Sequence, residues 1–160
     1  MRPNDRAWRP SAAALLFAAA LVPAVAADKP CGAADAAGAE KAADAVTSWG
    51  ALQKAVRDFG HCDRDKAAPL FTDALLRVLI DGWPNLAQGE AILDKDPALR
   101  EWVAVRLSGK AIAPEDAKSV TDLAKGNCPK GRAATCEFLL DAQNRGKPME
   151  MPKLMQVPKT

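Results

Sequence analysis

The chain has 160 residues, enough for one domain with a sizeable core. Lys and Arg number 22 against 20 Asp and Glu, and Arg2, Arg6 and Arg9 against Asp5 supply that whole excess of +2 from the first ten residues. The rest is balanced, 19 basic residues (22 less 3) against 19 acidic (20 less 1), which removes the electrostatic basis for binding nucleic acid.

Residues 1–27 carry the order of a secretory signal peptide: the basic start, then the apolar run from Ala12 to Val22, then Pro23 and the small residues Ala24-Val25-Ala26-Ala27. The apolar run falls short of the ~20 residues a membrane span needs, so no stable membrane insertion is expected after cleavage. Cys31 follows Lys29-Pro30 and not a small-residue lipobox, which argues against a lipid anchor. Cleavage after residue 27 would leave 133 of the 160 residues in the periplasm or secreted medium.

Residues 28–47 are rich in Ala and Gly and hold no aliphatic side chain larger than Val46. They read as a weakly ordered leader tethered through Cys31. From residue 48 to 146 the chain reads as a helical domain. Ser48 is placed to cap a helix carrying Trp49, Leu52, Val56 and Phe59 at helical spacing. A second helix starts near Pro69, and its leucine-rich face covers most of the circumference up to Ile80, marking it as the central buried element.

Trp83-Pro84 opens a shorter helix to about Leu93. Asp96-Pro97 pairs an N-cap acceptor with proline at the first helical position, and Leu99, Trp102, Val103, Arg106 and Leu107 then follow one stripe. Pro114-Glu115-Asp116 begins another helix with acids at its positive end, and the last runs from about Arg132 to Arg145. Gly60, Gly82, Gly109, Gly126 and Gly146 each follow an apolar run, where left-handed caps are expected. The fold class is all-α, a compact bundle of five to six short helices. Residues 147–160, with three prolines, read as a flexible tail.

Four cysteines, Cys31, Cys62, Cys128 and Cys136, imply two disulfides in an oxidising compartment. Three pairings are open. Loop closure favours Cys31–Cys62 with Cys128–Cys136, and the rival links Cys62 to Cys128 or Cys136. A continuous helix would hold residues 128 and 136 ~12 Å apart, so Pro129 and Gly131 must break it. Zinc has little support, with no Cys-x-x-Cys and one histidine.

No catalytic constellation stands out. His61-Cys62-Asp63 juxtaposes a base, a sulfur and a carboxylate, but a bridged cysteine is no nucleophile. Asp63-x-Asp65 and Asp94-x-Asp96 lack the later ligands of a calcium loop. Neither G-x-S-x-G nor a marked carboxylate pair appears. No cofactor is expected. Trp49 and Trp102 read as core. Trp83, between Gly82 and Pro84, either plugs the core end or projects as a binding anchor, and the plug is favoured. Trp83, His61 and Asp63 are the residues proposed to meet a partner.

A small exported helical domain with two bridges broadly resembles the periplasmic immunity proteins that neutralise cell-wall-degrading effectors of bacterial secretion systems. The resemblance is one of architecture over the whole body, with no motif matched and so no functional position carried over. It implies a binding protein that blocks a periplasmic protein partner through a loop or helix end such as 60–66, 82–90 or 126–132. The alternative is copper handling by the soft thioethers of Met149, Met151 and Met155.

Overall fold

The computed structural model describes residues 29–64, 66–108 and 112–145. Both the proposed signal peptide and the Met-bearing tail lie outside these residues. Within them the chain forms seven α-helices and no strand, the all-α class expected from the periodicity. Six of the helices were foreseen. The seventh is α1 (Ala33–Asp44), drawn from the segment expected to be a weakly ordered leader.

Alanine explains this correction. It has the highest helix propensity of any residue, and its small side chain lets α1 lie close against its neighbours. Ala39, Ala43 and the following Val46 are at most 1% exposed. Arg77 secures the end of α1 by donating from Nη1 to the carbonyl oxygens of Asp44 and Val46, at 3.2 and 2.9 Å. The helical domain therefore begins well before residue 48.

In α2 (Trp49–Phe59), the Ser48 hydroxyl accepts from the Ala51 N–H at 3.2 Å, the expected cap. A short 3₁₀ turn, Gly60–Cys62, leads through loop 63–66 into α3 (Ala67–Leu76). Phe71, Ala74, Leu75 and Leu79 are buried to within 1%, so this is the central element, as read from its apolar circumference. Its last turn widens to a π-helix over Arg77–Asp81, with the Gly82 N–H reaching the Arg77 carbonyl at 3.2 Å. A 3₁₀ turn at Trp83–Asn85 follows, then α4 (Leu86–Leu93), α5 (Pro97–Ser108), α6 (Pro114–Gly126) and α7 (Ala133–Asn144).

The core sits where α5 and α6 pack on α7, α1 packs on α2 and α3, and α2 packs on α4. A β-carbon at Gly89 would lie 2.3 Å from the Trp49 indole, so α4 needs glycine there to let α2 approach. Among the described residues the expected left-handed caps are absent. Gly60 and Gly82 keep negative φ of −59° and −89°, and Gly126 belongs to α6. At Gly60 and Gly82 the chain passes directly into a further turn, which a left-handed residue would interrupt. Gly109 and Gly146 lie outside the described residues. The one glycine described with positive φ is Gly131, at 79°.

Gly131 reverses the chain between the cysteines of a Cys128–Cys136 bridge, whose Cα atoms stand 6.2 Å apart. The second bridge joins Cys31 to Cys62 with Cα atoms 4.9 Å apart. Both are the pairings that loop closure favoured. Loops of 31 and 8 residues correspond to about 4 and about 2–3 kcal/mol of lost unfolded-state entropy. Denaturant unfolding should therefore show Cys31→Ser/Cys62→Ser losing more stability than Cys128→Ser/Cys136→Ser. Equal losses would contradict that order.

Candidate functional site

The loop after α2 is held from three sides. Cys62, 1% exposed, is bonded to Cys31 just ahead of α1. His61 turns the other way, its side chain 8% exposed, and its Nε2 lies 3.0 Å from Asp35 Oδ2. The same Asp35 oxygen is 2.8 Å from Lys29 Nζ. The Lys29 contact, and after it the His61 contact, holds the Asp35 carboxyl below the usual aspartate range.

Asp63 forms the third constraint. Its side chain is 7% exposed and forms an ion pair with Arg106 of α5, itself 13% exposed. Arg106 Nε donates to Asp63 Oδ2 at 3.1 Å, and Nη2 donates to the Asp63 carbonyl at 3.2 Å. Trp102, one turn earlier on α5, donates its Nε1–H to the same Oδ2 at 2.6 Å. Arg106 and Trp102 therefore grip both the side chain and the backbone of the loop. The Trp102 ring makes a T-shaped contact with the buried Phe71 on the core side.

Beside this loop, between α2 and the start of α5, lies an open cleft of about 540 Å³. Val56, Leu99 and the half-buried Trp102 give it an apolar floor, and Arg57 and Arg64 line it with guanidinium groups. Asp96 also faces it but is fully engaged. Its Oδ2 accepts from Gln53 Nε2 at 2.9 Å, and its Oδ1 accepts from the Leu99 N–H at 2.9 Å, the expected cap on α5. The Gln53 bond, and then the Leu99 N–H, pulls the Asp96 carboxyl below its ordinary value.

The three residues proposed to meet a partner are placed as follows. Trp83 is 7% exposed and donates Nε1–H to the Asn127 carbonyl at 2.8 Å, so it plugs the core end and does not project. Asp63 is turned inward onto Arg106, while His61 contacts Asp35 and also lines the cleft beside the loop. Buried polar groups keep partners inside the fold, which is why the Asp63 carboxylate is engaged by Arg106 and Trp102. Trp102 packs against the core, as read, and also lines the cleft. The signal for this site was Arg106 in an otherwise apolar stripe, since an arginine there needs a buried acid. Gln53 and Asp35 carried no such signal.

Among the described residues no group of three or more His, Cys, Asp or Glu side chains could hold a metal ion. None of their helices is long and apolar enough to cross a membrane. Met149, Met151 and Met155 lie outside the described residues. No protein-family model matches this chain, and neither a curated protein nor a solved structure matches it.

Removing one partner of a buried ion pair strands the other. Asp63→Ala should cost about 3–5 kcal/mol in denaturant unfolding, and Trp102→Phe, which removes the donor to a charged acceptor together with part of the ring that packs on the core, at least about 1.5–3 kcal/mol. Losses below about 1 kcal/mol, the range of exposed pairs, would refute the buried grip.

Asp96 sets an acid limit of its own. A carboxyl held below its unfolded value, about 3.9, contributes stability above that pH, and loses it as pH falls through the lower folded value. Asp96→Asn, which keeps a cap acceptor, should be less stable than wild type at pH 7. The gap should narrow below about pH 4. A gap independent of pH, measured by thermal unfolding across pH 2–7, would contradict this.

Proposed function

We propose that the protein is an exported helical binding protein, an immunity or inhibitor protein that acts by protein–protein contact through loop 60–66. The observation that carries this reading is the bracing of that loop. A disulfide, a buried ion pair with an indole donor, and a His–Asp contact all converge on residues 61–63. A contact loop ordered before association loses less conformational entropy on binding, so more of the interaction energy appears as affinity. Arg64 and Lys66 are the exposed ones among the described residues of the loop, and Arg64 also lines the cleft beside α2. Export is supported by the basic, apolar, small order of residues 1–27 and agrees with paired cysteines.

The test is a competition assay between cells of the source organism with and without the gene. Deletion should sensitise cells to attack by their neighbours, and the full chain should restore resistance. A chain lacking residues 1–27 should not restore it. An Arg64→Glu/Lys66→Glu double variant with an unchanged melting temperature should restore it poorly. If deletion leaves resistance unaltered, the reading fails.

A further inference from the structure

We propose that the segment following α7 folds back over α5, seating Met149 and Met151 on an apolar stripe made by Ala98, Trp102 and Val105. This contact is independent of the binding reading above. Val105 is 57% exposed. A single apolar residue at the surface is ordinary, but this one continues a row. Ala98, Trp102 and Val105 follow one another at spacings of four and three, so they share one face of α5. Ala98 and Trp102 line the cleft, and Val105 carries its apolar lining onto the open surface of the helix. Trp102 is held by its bond to Asp63, so the stripe is fixed before anything covers it.

The end of α7 points to the occupant. Glu101 lies on the same face of α5, between Ala98 and Val105, and Arg145 Nη1 donates to its Oε2 at 3.1 Å. Arg145 has left helical geometry, with φ −60° and ψ 121°, so the chain departs α7 extended at the border of the stripe. Met151 is six residues further on, and six extended residues reach about 20 Å. Ala98, Trp102 and Val105 all stand within about 6 Å of Glu101 along the helix axis, well inside that reach.

The composition of the segment fits the surface. Five of the nine residues from Met149 to Val157 carry large apolar side chains: Met149, Met151, Leu154, Met155 and Val157. A chain made only to be solvated is polar. Pro152 biases Met151 toward extended backbone. Extended backbone puts Met149 and Met151 on one side of the chain, roughly 6–7 Å apart, which matches the rise of about 6 Å from Ala98 to Trp102. Methionine suits a half-buried indole, because its flexible thioether fills an irregular gap and its sulfur is attracted to the ring edge.

The test uses the purified, disulfide-bonded protein with ¹³C-methyl methionine and follows nuclear Overhauser contacts. The methyls of Met149 and Met151 should show contacts with the Trp102 ring and the Val105 methyls. Met149→Gln/Met151→Gln, at two positions beyond α7, should shift the Trp102 signals while those of Trp49 and Trp83 stay in place. Val105→Glu, a change at an exposed position, should strip the methionine contacts from Trp102 with the circular dichroism unchanged. The proposal is overturned if neither methyl touches Trp102 or Val105, if the double variant leaves Trp102 unmoved, or if the contacts survive Val105→Glu. A mixture of labelled and unlabelled protein decides the remaining alternative: contacts that cross between molecules would make a second copy the occupant and also overturn it.

Discussion

The carboxylate of Asp63, buried against Arg106, is the contact on which the rest of this molecule turns. A charged pair taken out of water is expensive, and neither member tolerates loss of the other. Here the pair joins a loop to a helix far away in sequence, and Trp102 adds a donor to the same oxygen. The loop can leave α5 only by uncovering a guanidinium and an indole N–H together. This makes the segment after α2 part of the rigid body, although its backbone has no regular structure at Asp63 and Arg64.

The same contact shapes the neighbouring surface. Trp102 cannot rotate away from the cleft without giving up Asp63, and Asp96 cannot move without uncapping α5. The cleft wall and the loop are thus two faces of one clamp. The Cys31–Cys62 bridge and the His61–Asp35 contact extend that clamp to α1. A feature on α1 can then influence the geometry of α5 through the covalent and ionic links at residues 61–63.

Much of the fold was legible because its signals are local. Ser48 and Asp96 cap the helices that follow them, and the apolar circumference of residues 70–80 marked the buried α3. The disulfide pairing followed from loop length. The signals that misled were weak in composition and strong in tertiary context. Alanine-rich α1 offers little apolar area, yet small side chains are what let it lie flat on α2 and α3. Glycines after apolar runs suggested reversals, but Gly60 and Gly82 feed directly into tighter or wider turns. The site was half visible. Loop 60–66 was singled out, whereas Asp63 faces inward, and the cleft is assembled from Gln53 and Arg57 on one side and Asp96, about forty residues further along the chain, on the other. Periodicity reports which face of a helix is apolar, not which two helices leave a gap.

The two sulfur bridges occupy separate stretches of chain, and neither encloses nor crosses the other. Each can therefore close as soon as its own second thiol is available, whatever the state of the other. A polypeptide that matures from its amino end could lock the α1–α2 half before the final helix exists, with no wrongly matched intermediate to unpick.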